Sequence, residues 1–170
     1  LQTSGIERSG NEDMVIFEGD SDLYVADARA VWAPTGNNHE EEVIVQGEYF
    51  YRDETGHYED TDAGTGQVNY NDHQSGWYAQ GIYKFDPQWR VGARYHRLNA
   101  GDVPAGLVGS ALDDGGHNPW GATAMVDWSN SEFSRLRLQF GREELAPDHD
   151  DDQIILQYIM SIGAHGAHPF

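Results

Sequence analysis

The 170 residues carry 29 acidic against 10 basic side chains, a formal net charge of −19 that excludes a nucleic-acid partner, because holding phosphates needs clustered Lys and Arg. There is no Cys, which removes disulfide, thiol and Cys-ligated metal chemistry from consideration. No run of 18 apolar residues exists, so a membrane helix is excluded; a membrane strand is not, since a barrel strand turns only alternate residues to lipid.

Residues 1–20 are polar and acidic around a short apolar patch, Met14 to Phe17, and read as loop with a strand end. The chain opens on Leu1 without a charged-then-apolar leader, so an export signal is expected to have been removed or to lie upstream. Alternation begins at Leu23, with Tyr24, Ala26, Ala28, Ala30 and Trp32 against Asp27 and Arg29. Pro34 to Asn38 is a turn. The second strand, 42–52, sets Val43, Val45, Gly47, Tyr49 and Tyr51 against Gln46, Glu48 and Arg52. Residues 53–75, rich in Asp, Glu, Gly, Asn and His, show no period and read as a long loop.

The third strand, 77–85, places Ala79, Gly81, Tyr83 and Phe85 opposite Gln80 and Lys84, and Asp86-Pro87-Gln88 turns tightly into the fourth. That strand has the cleanest alternation: Trp89, Val91, Ala93 and Tyr95 against Arg90, Gly92, Arg94 and His96. After a second loop, 99–118, the fifth strand shows Trp120, Ala122, Ala124, Val126 and Trp128 against Thr123 and Asp127. The sixth shows Leu136, Leu138 and Phe140 against Arg135, Arg137 and Gln139. Residues 145–151 lead into the last strand, whose even positions Ile154, Leu156, Tyr158, Met160 and Ile162 are apolar, while Ile155 and Ile159 make the other face mixed. The sequence ends on Phe170.

Seven strands of about 9 to 11 residues suit a tilted crossing of a bilayer. Short turns at 34–39, 86–88 and 129–131 alternate with longer or acidic loops at 53–75, 99–118 and 145–151, the asymmetry of a barrel with short periplasmic turns. The residues expected to line a wet lumen are Arg29, Glu48, Arg52, Lys84, Arg90, Arg94, His96, Asp127, Arg135 and Arg137, since all lie opposite the apolar row. A soluble sandwich could turn that same face to solvent. Aromatics separate the two better: Trp32, Phe85, Trp89 and Trp128 adjoin the short turns and Tyr49, Tyr51, Trp77, Tyr95 and Trp120 the loop ends, as two interfacial belts would. The expectation is one segment: loop or strand end over 1–20, a strand meander over 21–163, and a tail over 164–170. It is an all-β, antiparallel, up-and-down transmembrane β-barrel. An odd strand count is unusual in single-chain bacterial barrels, so a C-terminal part of a larger barrel is expected.

A terminal amphipathic strand closing on Phe resembles the end of Gram-negative outer-membrane β-barrel proteins. Residues 76–85 and 156–170, above all the final Ser161-Ile-Gly-Ala-His-Gly-Ala-His-Pro-Phe170, resemble zinc-regulated, TonB-dependent-receptor-like or porin-like proteins of that membrane. The resemblance implies an outer-membrane location, lipid and the barrel-assembly machinery as partners, a role in zinc or other divalent-metal acquisition, and a TonB partner if a plug precedes Leu1.

Candidate metal-capturing residues are His57, His73, His117 and His149 in the loops, with Asp148 and Asp150 among the nearby carboxylates; His and carboxylate together suit zinc. His165 and His168 form an H-x-x-H pair in the tail. The four loop histidines have no fixed local ligand spacing, so acidic solvated loops with incidental His are the bland reading that outweighs metal capture, and for His165 and His168 it is a sorting or assembly tail. Any zinc would be transient cargo rather than a required cofactor. No nucleophile elbow, phosphate loop or HExxH helix is present, so no catalysis is expected. Outer-membrane, porin-like transport is the functional expectation. A surface-exposed barrel binder or enzyme, and a soluble extracellular β-sandwich that binds a ligand, are the alternatives.

Overall fold

The computed structural model describes residues 2–10, 15–110, 113, 115–131, 133–147 and 149–161, the first nine by backbone only. Eight strands form one antiparallel sheet in strict chain order: β1 (Gln2–Gly10), β2 (Val15–Trp32), β3 (Glu42–Asp60), β4 (Val68–Lys84), β5 (Trp89–Asn99), β6 (Trp120–Ser131), β7 (Ser134–Ala146) and β8 (His149–Met160). A 3-10 turn, Ala105–Leu107, interrupts the β5–β6 connection. Every strand pairs with its chain neighbours, and among the described residues no ladder joins β8 back to β1.

Alternation predicts the interior of the sheet because side-chain period and pairing register agree. One cross-strand row runs Ala30, Val45, Gly81, Ala93, Ala124, Phe140, Ile154 through seven strands without a polar residue. The row one step nearer the β2–β3 turn, Trp32, Val43, Tyr83, Val91, Val126, Leu138, Leu156, is apolar throughout as well. The connections are built locally by their polar side chains. Asn37 Oδ1 accepts from His39 N at 3.0 Å, and Asp86 Oδ1 accepts from Gln88 N at 2.9 Å.

Three expectations need correction. Residues 1–20 are not mainly loop: β1 pairs with the first eight residues of β2, Val15 to Asp22, which makes eight strands rather than seven. The unperiodic stretch 53–75 is mostly ladder, with β3 continuing to Asp60 and β4 starting at Val68, in register down to Tyr58 opposite Val68. β2, β3 and β4 therefore reach 18, 19 and 17 residues, well beyond the expected length. Sorting of connections by length also fails: nine residues separate β2 from β3 at one end, whereas two separate β7 from β8 at the other. In the extended ladder the apolar side chains are few, Tyr58 and Tyr70 among Gly, Asn and acids, so they leave no hydrophobic period to read. The tail, 164–170, lies outside the described residues.

Candidate functional site

Burial is distributed opposite to that of a water-soluble protein. Among the described residues the buried apolar side chains are Val15, Phe17, Tyr70 and Leu107, whereas Trp32 is 64% exposed, Leu156 70% and Ile154 77%. Asp127, a carboxylate, is 0% exposed. An isolated exposed Leu means little, but a contiguous apolar face spanning seven strands, with a carboxylate enclosed behind it, needs an apolar partner outside.

The apolar face is edged by rings at two levels. At the β4–β5 and β6–β7 turns Trp89 packs on Trp128 at 6.5 Å and Tyr83 on Phe85 at 6.0 Å between ring centroids. Toward the other end stand Trp77, Tyr95 and Trp120, at 5.4 and 6.0 Å in sequence, and Tyr24 against Tyr51 at 6.2 Å. Trp120 and Trp128 on one strand are roughly 27 Å apart at about 3.4 Å per residue, before any tilt.

All ten residues expected to line a lumen share the other face. The ladders carry it from Arg29 through Glu48, Arg52, Lys84, Arg90, Arg94, His96 and Asp127 to Arg135 and Arg137. Arg29 is exposed, because β1 pairs only with the first part of β2, up to Asp22, and leaves the rest uncovered. Toward the centre this face is half-buried, with Arg94 exposed. Gln46 donates to the Tyr78 hydroxyl at 3.1 Å, Gln80 donates to Gln46 at 3.3 Å, and the Arg94 guanidinium lies 4.1 Å over the Tyr78 ring. The His96 ring lies where a Cβ on Gly121 would stand, 2.5 Å from Cε1, so Gly121 is what admits it.

Asp127 is the hub. Arg90 Nε donates to Oδ2 at 2.7 Å, Arg137 Nε donates to Oδ1 at 2.7 Å with a second bond from the same guanidinium to Oδ2 at 2.9 Å, and Arg135 Nε stands 3.8 Å from Oδ2. One carboxylate on β6 thus clasps arginines from β5 and β7, leaving a surplus of positive charge. Sequence reasoning placed these four residues on one face but not together, since the convergence depends on the pairing of Asp127 with both Arg90 and Arg137.

Past the aromatics at the loop end, polarity reverses along the same strands. On the face that carries Asp127, Phe17 packs against Tyr58 at 4.7 Å and Tyr58 edge-on against Tyr70 at 5.0 Å. Leu107 from the 3-10 turn is buried beside them, sharing a small cavity with both tyrosines. Glu54, 2% exposed, accepts from Ser21 Oγ and from the Tyr58 hydroxyl, each at 3.0 Å. Cross-strand Gly19 and Gly56 approach so closely that a Cβ on either would strike the opposite backbone. The opposite face there carries Glu18, Asp20, Asp53, His57, Asn71 and His73, all exposed.

The expected metal ligands are not brought together. His57 and His73 lie on β3 and β4 rather than in a loop, a correction that follows from the ladder reaching Asp60. His73 stacks on Tyr51 at 5.2 Å and its Nδ1 is 3.4 Å from Asp72. His117 is in the β5–β6 connection beside the Glu144 carbonyl, and His149 opens β8. Asp150 pairs with Arg142. Asp148, His165 and His168 lie outside the described residues. Among the described residues no three His, Asp or Glu side chains form a group that could hold a metal ion, and no helix is long and apolar enough to cross a membrane.

The chain is 31% identical over 164 residues to an uncharacterized protein of Aquifex aeolicus (strain VF5), a match covering 94% of this chain. It spans about a third of the length of that relative. No family model matches the chain, and no solved structure matches it.

Proposed function

We propose that this chain is part of an outer-membrane β-barrel that passes small polar solutes along its charged face and catalyses nothing. The observation that carries the reading is the inverted band: uninterrupted apolar rows facing outward between two levels of Trp and Tyr, with Asp127 buried among half-buried arginines behind them. Lipid is the partner that such a face fits, because an apolar surface of this extent is costly in water and costs nothing against acyl chains. Backbone groups in the band are consumed by the antiparallel ladder, as the hydrocarbon core requires. The open edges of β1 and β8 fit a barrel completed by further strands, and the greater length of the Aquifex relative leaves room for them.

Zinc as cargo stays a proposal carried by the family resemblance, and barrel-assembly machinery and a TonB partner stand with it. The test is made on the whole protein. It should be extractable only with detergent, migrate differently in gels before and after boiling, and give stepwise conductance in planar bilayers. A protein that stays in aqueous solution without detergent and shows one heat-independent band overturns the reading.

A further inference from the structure

We infer that the turn end of the charged face holds a binding site for small oxyanions, the phosphate or carboxylate groups of solutes. The inference rests on reading this face as a solute path, and it names the class of solute. A cleft of about 620 Å³ opens there between the ends of β4, β5 and β7. Its walls bring Lys84, Arg90 and Arg135 together with Ser129 and Ser134, and the carboxylate among its lining residues is Glu42, which pairs across the ladder with Lys84. Counting the Asp127 hub behind it, among the described residues four cations (Lys84, Arg90, Arg135, Arg137) face two carboxylates (Glu42, Asp127). In a chain of net charge −19, this concentration of cations is the exception that calls for a partner.

Arg135 is the decisive group. Arg90 and Arg137 occupy both oxygens of Asp127 at hydrogen-bond distance, which holds Arg135 out at 3.8 Å. Its Nε is buried and has no hydrogen-bond partner among the described residues. The Arg135 side chain as a whole stays 30% exposed and lines the cleft, and an oxyanion is the acceptor its planar fork matches best. Ser129 and Ser134 line the same cleft, Ser134 with its hydroxyl 3.3 Å from that of Ser131.

The experiment titrates inorganic phosphate calorimetrically into the whole protein in detergent, at constant ionic strength with chloride as the competitor. Phosphate should bind in preference to chloride. Arg135→Gln should weaken it at least about tenfold by removing one charged fork, and Arg135→Lys should fall between, keeping charge but losing the fork. Since Arg90 and Arg137 still satisfy Asp127, Arg135→Gln should fold; Lys84→Gln, on the opposite wall, gives an independent loss if it does not. Phosphate no better bound than chloride, or affinity unchanged in the folded variants, overturns the inference. Conductance is measured separately. Phosphate binding without any conductance overturns the solute path and leaves the anion site standing, whereas a conducting protein indifferent to phosphate does the reverse.

Discussion

β2, β3 and β4 each pass through two regions in which the same ladder carries opposite polarity. In the region beyond the loop-end aromatics, Phe17, Tyr58, Tyr70 and Leu107 fill the enclosed face while Asp20, Asp53 and His73 point away from it, the order of a protein in water. In the band, Ala30, Val45 and Gly81 point away and Arg29, Gln46 and Gln80 occupy the face that was apolar. Nothing in the backbone changes at the boundary, since register runs unbroken from Asp60 opposite Val15 to Val43 opposite Trp32. On the proposed reading, what changes is the solvent each side chain must suit. The pair Tyr24 and Tyr51 stands at the boundary, with the ring-and-hydroxyl character that the proposed interface would select.

The comparison breaks most severely at Asp127. Replacing it with Ala leaves three arginines facing one another without their anion, and a loss of about 4 kcal/mol is expected in urea titrations of the detergent-folded protein. Next comes the band's apolar face: Ala124→Arg should cost about 3 kcal/mol in lipid vesicles, whereas Thr123→Arg, one residue along on the charged face, should cost far less. Beyond the band the ordinary core rule applies. Leu107→Ala should cost about 2.5 kcal/mol and raise amide exchange in β3 and β4 near Tyr58 and Tyr70, while leaving exchange in β6 and β7 unchanged.

Smaller effects sharpen the same picture at the loop end. Asp113 accepts backbone N–H bonds from Gly109 at 2.7 Å and from Gly115 at 3.0 Å, and these hold its carboxyl below the ordinary 3.8. A depressed carboxylate contributes order above its unfolded pKa and loses it as pH falls through the folded one. Exchange protection of the Gly109 and Gly115 amides should therefore persist at pH 5 and fade only below 3.8. Changing His57, His73, His117 and His149 together to Ala tests metal capture: zinc affinity unchanged from the parent would remove these residues from any such role.

Legibility in the sequence followed the same division. Where one face meets an apolar partner, as in Trp89, Val91, Ala93 and Tyr95, period 2 is written into residue type, and the interior of β4 to β8 could be read directly. Along Asp53 to Asp60 the apolar member of each turn is Gly56 or Tyr58 among acids, so the strand shows only once Phe17 and Tyr70 are seen against it. β1 offers Ile6 as its one large aliphatic residue and is held by backbone pairing. The Asp127 hub was half legible: facing is a matter of odd and even positions, but meeting requires knowing that residue 127 aligns with 90 and 137. The histidines were placed in loops because polar ladder and polar loop have the same composition.

Side-chain environment in the band is the most direct test. This sequence has no Cys, so single cysteines can be introduced on β6 at Ala122, Ala124 and Val126 and at Thr123 and Met125, then spin-labelled in the whole protein in lipid vesicles. The account predicts that the even positions respond to membrane-dissolved oxygen and the odd positions to a water-soluble nickel chelate, alternating residue by residue. Even positions that answer to the nickel chelate, or labels at Thr123 and Met125 buried from both reagents in a dry centre, would contradict it.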